Sequence, residues 1–314
     1  MGGTIMIEIL GHHHISMLTK DAKLNKDFYV EKLGLRLYLK TVNQDDPSMY
    51  HLFYGDEVGS PGTSLTFFEL KPMGQTYKGT NSISRIGLLV PSEESLNYWK
   101  DRFEKLDVDH DAIGIYNGMT ALHFRDHEGL EMVLLPNGER KVPQSWRHNR
   151  YTDVPEEHQI MGMGPVEFKI DDVSEMKNFL ENDLHFELVD SESELLYTID
   201  FEGLYSDIIL KEVEGERERP GKGSIHHLAL SVADEEELNK VKELLDEKGV
   251  VHSGIVDRDF FKSLYYRHSH ILIEFATEGP GMPYDDVSQL GQQLDLPGFL
   301  ESRRAEIESN LEPI

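Results

Sequence analysis

The sequence predicts an α+β protein built from four tandem βαβββ modules arranged in two domains. The chain has 314 residues, more than the roughly 250–300 at which a single hydrophobic core stops growing, so two domains are expected. Four segments alternate apolar and polar residues in the manner of half-buried strands, and each is followed by an amphipathic, charge-rich stretch. Short runs of period-two alternation come after each of these predicted helices.

Each module opens with a strand and continues with a helix. The opening strands are expected over residues 11–19, 82–90, 162–170 and 224–232. The helices are expected over residues 23–33, 93–106, 173–184 and 235–247. Gly34 and Gly249 end the first and last helices, because glycine readily adopts the backbone conformation that closes a helix.

Shorter strands complete each module. They are expected over residues 35–41, 64–70, 121–125, 130–135, 187–189, 208–213, 261–267 and 271–277. A unit of roughly 60–75 residues with one small sheet cannot bury its apolar face alone, so we expect the modules to pair.

Composition suggests where the domains begin and end. Residues 7–136 are expected to form an N-terminal domain of two modules, and residues 158–280 a C-terminal domain of two modules. The polar and irregular stretch 137–157 between them is the predicted linker. Residues 281–314 form a tail in which 298–310 have a helical pattern.

The charge balance excludes several classes of function. Lys and Arg number 31 against 58 Asp and Glu, which gives a net charge of −27 and disfavours nucleic-acid partners. We find neither a secretory signal nor an apolar run near the ~18 residues of a membrane span, so a cytoplasmic location without a membrane partner is expected. Because the chain has no cysteine, any metal must bind to His, Asp or Glu. The acidic C-terminal helix is a candidate contact for a homo-oligomer.

Histidine pairs occur at one matched place in two of the four opening strands. At that place the strands carry, in chain order, His13-His14, Ser84-Arg85, Gly164-Pro165 and His226-His227. Neighbouring residues of a strand point to opposite faces, so one histidine of each pair should face the inner side of its sheet. The alternative is that these histidines are ordinary core or surface residues.

A carboxylate lies in the closing strand of the last module. Glu274 interrupts the apolar run from Ile271 to Phe275, where burial costs several kcal/mol unless the carboxylate is paired or binds a cation. It is therefore either a surface residue on an edge strand or a metal ligand. Two histidines and one carboxylate form the facial set that holds Fe(II), and Mn(II) or Zn(II) fit it as well. Other candidates lack such a pattern and are expected to be structural, loop or surface residues: Glu131, His51, His123, His127, His268 and His270.

Several stretches resemble one enzyme family. They are HHIS (13–16), DPSMYHLFYG (46–55), GSPGTSLTFFE (59–69), HHLAL (226–230) and DRDFFKSLYYR (257–267) with the following Glu274. With the repeated module, they resemble the vicinal oxygen chelate (glyoxalase/extradiol dioxygenase) superfamily, and within it the hydroquinone ring-cleaving dioxygenases of the MhqO type. The resemblance implies the glyoxalase/bleomycin resistance/dihydroxybiphenyl dioxygenase fold, with the first and last modules paired around the site.

The resemblance also implies roles for individual residues. His14, His227 and Glu274 match the metal ligands of the family. His13 and His226 match positions beside the ligands, where a neutral ring takes or returns a proton. Arg258 and Tyr265 match pocket residues near the substrate hydroxyls. The turn before Glu274 is shorter than the one usual in the family.

The expected activity is that of an Fe(II)-dependent extradiol-type dioxygenase that cleaves the ring of hydroquinones or related dihydroxy aromatics with O2. One alternative is a glyoxalase-like metal-dependent isomerase or transferase, in which Glu69 joins the ligands. Another alternative is a metal-free protein that binds aromatic molecules.

Overall fold

A computed structural model describes residues 6–189, 195–198, 207–281 and 286–314. Within these residues the chain forms two eight-stranded sheets with few helices. The predicted α+β class with four βαβββ modules is confirmed. None of the described helices is long and apolar enough to span a membrane.

The first sheet combines the first and the last modules. Its strand order is β14-β15-β16-β13-β1-β4-β3-β2. The strands of the first module are β1 (Gly11–Thr19), β2 (Arg36–Val42), β3 (Tyr50–Gly55) and β4 (Ser64–Glu69). Those of the last module are β13 (Ser224–Val232), β14 (His252–Asp257), β15 (Phe261–His268) and β16 (Ile271–Pro280).

The second sheet combines the two middle modules. Its strand order is β10-β11-β12-β9-β5-β8-β7-β6. The second module contributes β5 (Ser82–Val90), β6 (Gly114–Tyr116), β7 (Met119–Arg125) and β8 (Glu131–Pro136). The third contributes β9 (Gly162–Ile170), β10 (Glu187–Val189), β11 (Leu195–Thr198) and β12 (Ile208–Glu212).

Helices follow the opening strands, as expected. The α-helices are α1 (Ala22–Lys26), α2 (Glu93–Lys105), α3 (Ser174–Asn178), α4 (Glu235–Glu247) and α5 (Arg304–Asn310). Helices α1 and α3 continue as π-helical turns over Asp27–Lys32 and Phe179–Asp183. Short 3-10 turns lie at Glu156–His158, Val287–Gln289 and Gly298–Arg303, and the last of these leads into α5 in the predicted tail helix.

Each sheet therefore joins modules from both halves of the chain. The opening strands β1 and β13 meet antiparallel at the centre of the first sheet, and β5 and β9 do so in the second. The pairing of the first with the last module agrees with the implication of the resemblance. The division into sequence domains around a linker at 137–157 stays a prediction.

A β-bulge lies at the matched position of every opening strand. The pairing register shifts at His13 on β1 and at His226 on β13. It shifts likewise at Ser84 on β5 and at Gly164-Pro165 on β9. A bulge inserts one extra residue and re-aims the neighbouring side chains. The four-fold match identified in the sequence therefore corresponds to one repeated backbone feature.

One face of the first sheet packs in the apolar core, and the other face lines a cavity. Alternate residues such as Ile15 and Met17 of β1 are fully buried and pack in the main apolar core with Trp99 of α2 and Leu238 of α4. The residues between them, His14 and its even-numbered neighbours, face a cavity on the other side. The period of two along each strand thus separates core residues from site residues.

Candidate metal centre

Three neighbouring strands bring two histidines and one glutamate to the same face. Strand pairing places His14 of β1 opposite Ala229 of β13, and Ala229 opposite Glu274 of β16. His227 precedes Ala229 by two residues and so shares its face. The three side chains converge although His14 and His227 are 213 residues apart in the chain.

The converging atoms are close to one another and buried. Glu274 Oε2 lies 2.7 Å from His227 Nε2 and 3.1 Å from His14 Nε2, and the two nitrogens are 3.3 Å apart. A spacing of about 3 Å is that of adjacent ligand atoms around an ion with bonds of about 2.1 Å. Among the described residues, this is the one group of three such side chains arranged to hold a metal ion.

The pKa shifts of Glu274 and His227 suit a cation. Burial would raise the pKa of Glu274, but His14 and His227 outweigh it and hold the pKa well below its ordinary value. Burial lowers the pKa of His227, against the opposing effect of Glu274. Ser263 Oγ donates to Glu274 Oε1, whereas Oε2 faces only the two rings. An ionised carboxylate beside a neutral imidazole is the form that binds a metal, so these residues fit the expected ion.

The first histidine of each pair supports the second. His13 Nδ1 lies 2.8 Å from His14 Nδ1, and His226 Nδ1 lies 2.8 Å from His227 Nδ1. Because Nε2 of each ligand histidine faces the centre, its Nδ1 carries the proton and donates it to the neighbouring ring. The two rings of a pair therefore act together on one side of the sheet. The expectation that they point to opposite faces is wrong, because the bulges re-aim them.

Desolvation keeps the two supporting rings neutral. Loss of hydration and the neighbouring His14 lower the pKa of His13 to about 3. Loss of hydration and the neighbouring His227 lower the pKa of His226 to about 4. Both values lie below the ordinary range of histidine. A role of either ring in proton exchange stays a prediction.

A cavity of about 520 Å³ opens beside the three ligands. Aromatic side chains supply much of its wall: Phe53, Phe68, Phe260 and Phe261. Arg258, Tyr265 and His226 also line it. Arg258 Nε donates to Tyr265 Oη at 3.2 Å, so the Tyr265 proton is left for another acceptor. Burial and then Glu274 raise the pKa of Tyr265 above its ordinary value, which keeps this proton in place.

Comparisons with known proteins agree with this architecture. Residues 11–134 match the family model described as the glyoxalase/bleomycin resistance protein/dioxygenase superfamily. The chain is 44% identical to the "Putative ring-cleaving dioxygenase MhqA" of Bacillus subtilis (strain 168), over 98% of this chain and 100% of that protein. The chain belongs to this superfamily. The resemblance noted in the sequence is thereby confirmed.

Two further relatives of this superfamily cover nearly the whole chain. A solved structure described as a "putative dioxygenase from Bacillus subtilis subsp. subtilis str. 168" superposes with a TM-score of 0.90 at 30% identity, over 98% of both chains. The chlorohydroquinone/hydroquinone 1,2-dioxygenase of Sphingobium indicum is 26% identical, over 95% of this chain and 94% of that protein. The similarity thus extends over both sheets.

Glu69 lies apart from His14, His227 and Glu274. Its Oε1 accepts a hydrogen bond from the backbone nitrogen of Ala22 at 3.2 Å, and it pairs with Thr19 at the far end of β1. The four-ligand set of the glyoxalase-like alternative therefore does not form among the described residues. Glu131 is an ion-pair partner of Lys78 and Arg125 in the second sheet, in agreement with its expected structural role.

The structure places His51 in the wall of the cavity. His51 was expected in a loop or at the surface, yet it lies on β3 and lines the cavity. Burial lowers its pKa well below the ordinary value, and protonation of His14 or His227 would lower it further. His51 has no neighbouring histidine in the sequence. However, it is two residues from Phe53, and this spacing predicts that the two side chains share one face of a strand.

Proposed function

We propose that this protein is an Fe(II)-dependent ring-cleaving dioxygenase of the extradiol type that acts on hydroquinones or related dihydroxy aromatics. The observation that carries the proposal is a two-histidine, one-carboxylate group beside an aromatic-walled cavity. The names of MhqA and of the Sphingobium indicum enzyme support the reaction class, and the latter name supports the substrate class.

His14, His227 and Glu274 would hold the ion. A ferrous ion held by them would supply electron transfer between a substrate hydroxylate and dioxygen. The same donors accept Mn(II) or Zn(II), so the choice of iron rests on the proposed reaction.

The surrounding side chains would bind and orient the substrate. The four phenylalanines pack against a ring and exclude water from it. Tyr265 donates its hydroxyl proton to a substrate oxygen, since Arg258 already donates to the Tyr265 oxygen. The positive charge of Arg258 favours an ionised substrate hydroxyl. A small aromatic substrate and O2 are the partners that this site requires, and we infer from composition that it operates in the cytoplasm.

Oxygen uptake tests the proposal directly. Protein loaded with Fe(II) under anaerobic conditions is given methylhydroquinone, catechol or no substrate, and the ring-opened product is followed by absorbance. We expect uptake that needs both iron and a hydroquinone, with one product per O2 consumed. Oxygen uptake with catechol alone would indicate that the substrates are catechols and not hydroquinones. Bound metal without any uptake would contradict the dioxygenase and favour an isomerase or transferase.

Loss of a ligand should remove the metal. His227→Ala and Glu274→Ala should each lower the bound iron measured by elemental analysis by roughly 10-fold or more and abolish oxygen uptake. Glu131→Gln is the control, because it alters a carboxylate in a closing strand of the other sheet and should retain iron and uptake. Full activity in either ligand variant would refute the assignment.

A further inference from the structure

His51 lies on the wall of the cavity across the sheet from the metal ligands. Strand β3 is separated from β1 by β4, so at the usual spacing of strands its backbone is about 10 Å from that of β1. His51 pairs with Phe68 on β4, which pairs with Leu18 on β1. Leu18 is four residues beyond His14 on the same face, so His51 and His14 line different parts of the cavity.

Three contacts fix the orientation of the His51 ring. Its Nε2 lies 3.2 Å from Thr66 Oγ1, and that hydroxyl lies 2.6 Å from Ser16 Oγ. Thr66 and Ser16 are fully buried. The ring also stacks on Phe68, with centroids 3.9 Å apart, and contacts Phe53 at 4.1 Å. Such an immobilised ring presents its remaining nitrogen in a constant direction.

The Nδ1 atom of His51 is available to a ligand. The hydrogen bond to Thr66 uses Nε2, and Nδ1 makes no hydrogen bond to any residue that the structure describes. Depending on the tautomer, Nδ1 either accepts or donates one hydrogen bond. A phenolic hydroxyl satisfies both tautomers, since it is a donor and an acceptor at once.

Phe68 lies in the cavity wall between polar groups on two sides. Its ring stacks on His51 with centroids 3.9 Å apart, and on the other side it lies 6.0 Å from the ring of His226, the neighbour of His227. Phe260 and Phe261 add further apolar surface to the same cavity. This arrangement matches a flat aromatic molecule with a hydroxyl at each end of its ring.

We propose that His51 hydrogen-bonds the second hydroxyl of a para-dihydroxy ring, the one directed away from the metal ligands, and so selects hydroquinones over catechols. The inference rests on the proposed function and specifies its substrate. The hydroxyls of catechol are adjacent, so both lie at the metal end and leave His51 Nδ1 without a partner. An enclosed polar group that loses its partner costs binding free energy, and this cost is the basis of the selection.

Binding without turnover tests the role of His51. Iron-loaded protein is titrated calorimetrically, without oxygen, with hydroquinone, phenol and catechol. In the wild type, hydroquinone should bind about 10-fold more tightly than phenol, which lacks the second hydroxyl. In His51→Phe, hydroquinone should bind about 10-fold more weakly and phenol as before, so the difference disappears. Equal weakening of both ligands, or no change in either, would overturn the proposal.

Two further variants make the result unambiguous. Thr66→Val removes the hydroxyl that holds Nε2 and should weaken hydroquinone binding selectively even where His51→Phe fails to fold. His123→Phe alters a histidine on β7 of the second sheet and should leave all three affinities unchanged. The proposal is wrong if Thr66→Val spares hydroquinone binding.

The two proposals fail in different ways. A wild type that prefers hydroquinone to phenol but consumes no oxygen would refute the dioxygenase and leave the His51 contact intact. A wild type that consumes oxygen but binds hydroquinone and phenol equally would refute the His51 contact and leave the dioxygenase intact.

Discussion

At the scale of single residues, the candidate metal centre has a small side chain at its middle. Ala229 pairs with His14 on one side and with Glu274 on the other, and it is fully buried. Directly opposed residues of neighbouring strands have Cβ atoms only about 5 Å apart. The methyl group of Ala229 therefore occupies little of the space in which the three ligands converge.

A larger residue at this position should exclude the metal. Ala229→Leu adds a branched side chain beside the ligand atoms, so we expect bound iron to fall roughly 10-fold or more. Overpacking should also lower the free energy of unfolding by about 1–3 kcal/mol. Elemental analysis and thermal unfolding measure the two effects.

Ala121→Leu serves as the comparison, because Ala121 is equally buried but lies in the second sheet. It should cost similar stability and retain the metal. Normal iron content in Ala229→Leu would show that the converging atoms do not hold the ion.

At the scale of single elements, the hairpin of β15 and β16 sets the position of Glu274. Its turn contains two residues, Ser269 and His270, both with positive φ (46° and 70°). This is the conformation of a type I′ turn, whose twist matches that of the flanking strands. The pairing continues without a shift from His268–Ile271 to Ser263–Ala276, which places Tyr265 opposite Glu274. The shorter turn thus maintains a regular register.

Residues better suited to this turn should stabilise the hairpin. Positive φ is unfavourable for residues other than glycine and, to a lesser degree, asparagine. Ser269→Asn combined with His270→Gly should therefore raise the free energy of unfolding by about 1 kcal/mol, as measured by chemical denaturation. Val251→Gly, at an exposed residue without positive φ, should give no gain. A loss of stability in the double variant would contradict the turn assignment.

At the scale of the whole molecule, the second sheet repeats the architecture of the first with different chemistry. At the centre of the second sheet, Glu167 pairs with Arg85 at 3.1 Å and with Lys211 at 2.9 Å. Ser84 and Tyr116 donate to the same carboxylate at 2.6 and 2.8 Å. Cationic side chains therefore compensate the buried carboxylate of this sheet, whereas the buried carboxylate of the first sheet, Glu274, faces two histidines.

The Glu167 cluster should make stability depend on pH. Burial would raise the pKa of Glu167, but Arg85, Lys211, Ser84 and Tyr116 outweigh it and lower the pKa from 4.5 to about 2. Because the pKa of Glu167 is lower in the folded state than in the unfolded state, its ionised carboxylate contributes fully to the free energy of unfolding above pH 4.5. This contribution is lost as the pH falls towards 2. Its size is about 3 kcal/mol.

Comparison of two variants isolates this contribution from those of other carboxylates. Glu167→Gln should be less stable than the wild type by about 3 kcal/mol near neutral pH, and the difference should shrink below pH 4.5. Denaturant unfolding at a series of pH values measures it. Glu247→Gln, at an exposed carboxylate, should match the wild type throughout. A constant difference between the wild type and Glu167→Gln would contradict the assignment.

The sequence by itself determined the modules and most of the candidate site. Period-two alternation and helical amphipathicity are local properties, so they located the four opening strands and the helices that follow them. The matched pairs His13-His14 and His226-His227, with an acidic residue in an apolar strand, indicate a candidate set of metal ligands. The resemblance then selected His14, His227 and Glu274 from this set.

Only the tertiary structure decided which modules pair and how the side chains are directed. Strand pairing between the first and last modules depends on contacts far apart in the chain, which local periodicity does not encode. The bulges at His13 and His226 reverse the expected direction of one ring in each pair, because a single inserted residue shifts the alternation. The period of two shared with Phe53 could place His51 on one face of its strand, but only the neighbouring strand, through Thr66 and Phe68, shows that this face lines the cavity.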